Sequence, residues 1–148
     1  MAHSVSSTDR VRPLRPRESA VGLLQARTAE GVLLGSRIAV AHDWGTRLRG
    51  LLGRRALRPD EGLWLSPCSS IHTLGMRFSI DVLFLDAFQN VVKICHQVPP
   101  NRCRLGGSSA ESVLELPAGT LSRLPVEIGQ QVLFRSAIRE EQGGGEDG

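Results

Sequence analysis

The stretch Asp81-Val82-Leu83-Phe84-Leu85-Asp86 decides the fold. It is a short apolar run closed at both ends by carboxylates, and Val82 and Phe84 are strand-forming types. Its length suits a buried strand better than a helix. Ala87-Phe88-Gln89-Asn90 follows as a four-residue connection in which Asn90 tolerates a left-handed backbone. Val91 to Val98 then reads as the return strand, stopped by Pro99-Pro100. An antiparallel hairpin is therefore the centre of the reading.

Working upstream, Val21 to Thr28 and Val32 to Ala41 read as two strands joined by Ala29-Glu30-Gly31. Asp43 stands as an N-cap before Trp44 to Leu52, where Trp44, Leu48, Leu51 and Leu52 share a helical face. Gly53 is placed to end that helix. Gly62 to Leu65 is a short apolar strand closed by Pro67. Downstream, Asn101 to Ser112 reads as a polar loop and Val113 to Leu116 as a strand. A turn at Pro117 to Thr120, a short helical turn to Leu124 and a last strand at Gln130 to Phe134 complete it. Many short strands with one helix predict an α+β, mostly β fold. The expected form is a small barrel-like domain of short antiparallel strands with one prominent helix.

The chain has 148 residues and 41% hydrophobic content, which suits one core with tails. Residues 1–19 read as a disordered basic tail and residues 136–148 as a disordered acidic, Gly-rich tail around Gly143-Gly144-Gly145. Residues 20–135 form the single globular domain between them. No apolar run approaches a membrane span, and the first twenty residues lack the apolar centre of a secretory signal. Net charge is +3 and diffuse, unlike the dense basic patch of a nucleic-acid binder. Cys68, Cys95 and Cys103 are an odd set without a CxxC pair, which fits a reducing, cytoplasmic setting.

Chemistry-bearing residues gather just before the deciding strand. Cys68, His72 and Met76 recur every fourth residue. On a helix they would share a face and suit copper(I) or zinc. Ser69, Ser70, Thr73 and Gly75 are poor helix formers, and on a strand four residues span about 13 Å, too far for one ion. A packed cysteine beside a hydrogen-bonded histidine is the favoured reading. Cys68, His72 and Asp81 also make a formal nucleophile, base and orienting carboxylate, with no family-type signature around the cysteine.

Asp81 shares a face with Leu83 and Leu85; if that face is the inward one, the carboxylate needs a partner, and Arg49 and Arg54 are the candidates. The plainer reading is a structural cap at the start of the strand. Glu115 shares a face with Val113, either meeting an arginine across the sheet or facing solvent. His96 alternates with Ile94 and Val98 and reads as a core histidine. Arg102, Arg104 and Gly106-Gly107-Ser108-Ser109 could cradle an anion, though a flexible connector is the favoured reading.

The ordered set Arg49-Gly-Leu-Leu-Gly-Arg54, Leu57, Gly62-Leu-Trp-Leu65, Ile71-His-Thr73, Ile80 to Asp86, Val113-Leu-Glu-Leu-Pro-Ala-Gly119 and Gly129 resembles domain-of-unknown-function family 192, also called uncharacterised protein family 0127. The resemblance covers roughly residues 23–135. It implies a small, mostly β, barrel-like domain with a helix near the Arg-Gly-Leu segment and leaves activity open. The family's recurrent positions fall on Arg49, Gly50, Leu51, Arg54, Gly62, Asp81, Phe84, Glu115 and Gly119. Many members carry an aromatic where this chain has His72 and a residue other than Met at position 76. A Cys68, His72 and Met76 metal triad would then be a subgroup trait. The hairpin that is often Asp-Gly in the family is here Gln89-Asn90.

The resulting expectation is a non-enzymatic binding module for a small anionic or peptide-like ligand, using Arg49, Arg54, His72, Asp81 and Glu115. The alternatives are metal handling through Cys68 and His72, with Met76, and a small hydrolase or transferase using Cys68, His72 and Asp81. No cofactor is specified. The partner is a small ligand or a protein, with nucleic acid disfavoured.

Overall fold

A computed structural model describes residues 23–42 and 53–136. In chain order the strands are β1 (Leu24–Thr28), β2 (Leu33–Ala41), β3 (Glu61–Leu65), β4 (Ser70–His72), β5 (Ile80–Leu85), β6 (Val91–Val98), β7 (Cys103–Leu105), β8 (Ser112–Pro117) and β9 (Val132–Ser136). The helix among the described residues is α1 (Thr120–Arg123). The architecture is mostly β, as expected. The predicted helix from Trp44 to Leu52 lies outside the described residues, as do the N-cap Asp43 and the start at Val21.

Seven strands form one sheet in the order β6-β5-β8-β3-β2-β1-β9. Its ladders are antiparallel except that of β2 with β3, which is parallel. The sheet is mixed rather than wholly antiparallel, because β3 runs beside β2 in the same direction. It is also open rather than a closed barrel. Among the described residues its two edges meet at one corner, through the bridge Asn90 to Gln131 and flanking bonds from Val91 N to Gln130 O and Val132 N to Gln89 O. The curl is still tight. Phe134 of β9 stacks on Trp64 of β3, centroids 3.8 Å apart, although β2 and β1 lie between their strands.

Both faces of the sheet are buried. The inside of the curl holds Leu24, Ile38, Trp64, Leu83, Leu85, Leu114, Leu116 and Phe134. The outer face holds Leu63, Leu65, Val82, Phe84, Cys95 and Val113, packed with Ile71 and Met76. All six residues of β5 are therefore buried, which explains why its sequence runs apolar without alternation.

The cover of the outer face is a flap, residues 66–80 and 99–110, built on the two-stranded ribbon of β4 and β7. The flap is tied down by Cys68 N to Glu111 O at 2.8 Å and Lys93 Nζ to Leu105 O at 2.6 Å. Within it, the Thr73 hydroxyl donates to Pro99 O at 2.6 Å and accepts from Arg102 N at 2.8 Å. Gly106 lies against the Phe84 ring so closely that a Cβ there would overlap it and come 2.6 Å from Ala110 Cβ. The region read as a polar loop thus contains a strand, and β4 and β7 escape sequence reading because three polar-rich residues carry no periodicity.

Two bulges in β6 alter the expected alternation. Val82 pairs with Cys95 while Ile80 pairs with Val98, so one extra residue enters there. Gln97 takes a positive φ of 46° in this bulge. Cys95 consequently turns inward and His96 is exposed, reversing the core placement expected of His96. In the β5–β6 hairpin the left-handed residue is Gln89, with φ 60°, rather than Asn90. Asp86 completes that turn by accepting from Phe88 N and Asn90 N.

Candidate functional site

The sheet register brings several of the sequence-selected residues towards one end. Ile80 pairs with both Val98 and Pro117, so the start of β5 and the ends of β6 and β8 share that end. Leu63 pairs with Glu115, which puts the start of β3 there too. Thr73, next to His72, reaches the same end through Pro99. Arg54, His72, Asp81 and Glu115 are thus drawn towards one end. Arg49 lies outside the described residues.

Asp81 is wholly buried. Its Oδ1 accepts from Gln97 N and its Oδ2 from Leu121 N, both at 2.8 Å. Its partners are two backbone amides, one in the β6 bulge and one in α1. These are groups the ladders cannot satisfy. This is the arrangement of the structural cap.

Arg54 pairs with Glu61 at the start of β3. Its Nη2 lies 2.5 Å from Glu61 Oε1, which also accepts from Arg58 N at 2.8 Å. The hydrogen bond from Arg54 holds the Glu61 carboxyl below its ordinary range. Burial opposes it as the next largest effect, and the Arg58 amide and both guanidinium charges help to lower it.

Glu115 is also wholly buried, in mid-strand on the outer face, with Leu63 and Val82 as its cross-strand neighbours. The solvated placement that the sequence left open is thereby removed. A Cβ on Gly62 would lie 2.8 Å from the Glu115 carbonyl oxygen, so glycine is the residue that fits beside this strand.

The Cys68, His72 and Met76 series is not a helix. Cys68 precedes β4 and is half-buried, and its thiol donates to Ser70 O at 2.8 Å. His72 ends β4, and its Nδ1 accepts from Leu74 N at 3.4 Å. Met76 belongs to the flap, and its side chain is buried against the outer face of the sheet. Among the described residues, no group of three or more His, Cys, Asp and Glu side chains is placed to hold a metal ion. No helix among them is long and apolar enough to cross a membrane.

The ribbon register adds a juxtaposition that spacing could not show. His72 pairs directly with Cys103, and Ile71 with Arg104. The sequence-level signal was Arg102-Cys103-Arg104, a thiol between two cations, but only the pairing of β4 with β7 sets a histidine opposite it.

With this geometry in place, known proteins give the family. The model of DUF192, described as Uncharacterized ACR, matches residues 25–134. The chain belongs to the DUF192 family. A UPF0127 protein from Thermococcus sibiricus is 30% identical over 111 residues, which is 70% of this chain and 69% of that protein. A Sinorhizobium meliloti crystal structure, described as a candidate transcription regulator, superposes with a TM-score of 0.65 at 25% identity. The match covers 75% of this chain and 91% of the other. A Novosphingobium aromaticivorans protein of unknown function matches with a TM-score of 0.63 at 20% identity, covering 74% and 81%. That second likeness speaks for the fold alone. The match runs from β1 to β9, and so spans the whole seven-stranded sheet.

Proposed function

We propose that this DUF192 domain is a non-enzymatic binding module for a small anionic or peptide-like ligand. The ligand would be taken at the end of the sheet towards which Arg54, His72 and Glu115 are drawn and whose backbone Asp81 holds in place, with Arg49 as the further candidate outside the described residues. The observation that carries the reading is the charge of the flap over that end. Residues 66–80 and 99–110 contain Arg77, Arg102 and Arg104 and no Asp or Glu. A cationic cover over a sheet face with a carboxylate in its core suits a ligand with an acidic group and, where it is peptide-like, an amine.

Two features support binding over catalysis. Both Asp81 oxygens are committed to backbone amides, and the Cys68 thiol is committed to a carbonyl. Metal handling by Cys68, His72 and Met76, with copper or zinc, is the alternative kept for the test.

The experiment is a thermal-shift titration of the full chain with inorganic phosphate, succinate and diglycine. Native mass spectrometry and elemental analysis of gently purified protein run beside it. The expected result is a saturable rise in Tm with at least one probe, lost in Arg54→Ala and in His72→Ala. Stoichiometric copper or zinc lost on Cys68→Ser would overturn the reading in favour of metal handling. No shift with any probe and no bound mass would overturn it outright.

A further inference from the structure

We propose that the inside of the curl is a second ligand site. It takes a small, neutral, mostly apolar molecule whose carbonyl oxygen accepts from Trp64 and Ser112. The site lies on the face of the sheet opposite the flap and stands without the binding reading above.

Strand register sets the two side chains together. Trp64 of β3 pairs with Leu114 of β8, and Ser112 lies two residues before Leu114 on that strand. Ser112 also pairs with Leu85 of β5. Trp64, Leu85 and Leu114 all belong to the inner cluster, so the indole and the hydroxyl share that face. They are one diagonal step apart on adjacent strands, about 7–8 Å, which is within reach of an aromatic side chain.

Both residues are out of water, Trp64 at 0% exposure and Ser112 at 2%. Neither Trp64 Nε1 nor Ser112 Oγ has a hydrogen-bond partner. A buried N–H or O–H left unanswered is costly, and two of them side by side call for a common acceptor. The cluster around them is aliphatic and aromatic and offers no side-chain acceptor. Asp81, the carboxylate of this face, gives both oxygens to backbone amides.

The donors define the ligand. An indole N–H only donates, so its partner is an acceptor, and a serine hydroxyl can donate to the same atom. One carbonyl oxygen, with two lone pairs, answers both. A lone water accepting from both would leave its own two hydrogens facing hydrocarbon. A charged head does not fit, because no cation stands in the cluster to answer an anion and no carboxylate oxygen is left for an ammonium.

The curl also has a way in. Beyond the corner at Asn90 and Gln131, no ladder among the described residues joins β6 to β9. Ile94 of β6 and Phe134 of β9 stand on the two edge strands beside this seam and pack with the inner cluster, and Ile94 is only half-buried. Phe134 is the ring stacked on Trp64, so the seam leads to the indole. An apolar-lined entry ending at two hydrogen-bond donors suits an apolar body with one polar atom.

The test follows the indole N–H signals of the isotope-labelled full chain by NMR during titration with methyl hexyl ketone. The Trp64 signal is assigned by its loss in Trp64→Phe, and octanoate and octylammonium are the charged controls. The expected result is a saturable downfield shift of the Trp64 signal with the ketone and none with either charged probe. Ser112→Ala should weaken the ketone severalfold. Without ketone it should melt at or above the wild-type temperature, because it removes an unanswered hydroxyl. No saturable shift up to the solubility of the ketone would overturn the site, as would both indole signals drifting together without saturation. Octanoate bound as tightly as the ketone would overturn the neutral class. Unchanged ketone affinity in Ser112→Ala would remove the hydroxyl from the site, and a clearly lower Tm there would mean that an ordered water already answers it. The thermal shifts with phosphate, succinate and diglycine should be unchanged in Ser112→Ala, and loss of both responses together would overturn the separateness of the two sites.

Discussion

Asp81 and Glu115 lie on neighbouring strands, both wholly out of water, on opposite faces of one sheet. They teach different things. Asp81 stands at the start of β5, where a bulge and a short helix leave backbone amides without ladder partners, and it takes two of them. Glu115 stands in mid-strand between two ladders, where neighbouring amides are already spent on the sheet. A carboxylate there must be answered by side chains or by a ligand. Position along the strand thus separates the fastener of the inner face from the candidate binding group of the outer one.

The largest expected effect breaks the fastener. Asp81→Ala leaves the buried Leu121 N–H and the part-buried Gln97 N–H without their acceptor, and unfolding free energy should fall by about 3–5 kcal/mol. Asp81→Asn keeps one acceptor oxygen and should recover part of the loss. Urea denaturation of the full chain measures both. A loss under about 1 kcal/mol for the alanine variant would remove the distinction between the two carboxylates.

A smaller effect is expected where the flap meets the outer face. Gly106→Ala forces a methyl group against Phe84 and Ala110, and overpacking of this kind costs about 1–3 kcal/mol. Because Cys95 is covered by the same flap, its alkylation should accelerate in this variant while that of Cys103 stays unchanged. Stability lost without any change at Cys95 would mean the strain is absorbed in the sheet, and the flap would not be a separable cover.

These contrasts show how much of the molecule the sequence carried. The β5–β6 hairpin was legible because its strands are long enough to have a pattern and Pro99-Pro100 marks where they end. The burial of β5 was legible in its unbroken apolar run, although its two-sided packing was not. For Asp81 the sequence offered a structural cap as the plainer reading and an arginine partner as the alternative; it did not show what would be capped. The amides it meets come from residues 97 and 121, and no local pattern announces contacts of that separation. His96 was misplaced because a bulge adds a residue that alternation cannot count. The ribbon was missed because β4 and β7 are three residues each, and so its His72–Cys103 register pair was missed with it.

The smallest expected effect concerns Arg54 and Glu61, at the edge of the same end. The Glu61 carboxyl is held below its ordinary value of 4.5, first by the Arg54 hydrogen bond. A carboxylate lowered on folding adds stability that is present above its unfolded value and is lost as pH falls through the folded one. Arg54 is 37% exposed and Glu61 21%, so solvent screens the pair and its contribution is about 0.5–1 kcal/mol. Arg54→Ala should therefore cost about that much at pH 7, and high salt should narrow the gap. The gap should close below pH 4, where the unfolded carboxyl is protonated first and the native one follows. Thermal melts of both proteins across that range measure it. A gap that persists unchanged at low pH would show that Arg54 acts through the packing of its methylene stem, and would take the cation away from this end of the sheet as an electrostatic element.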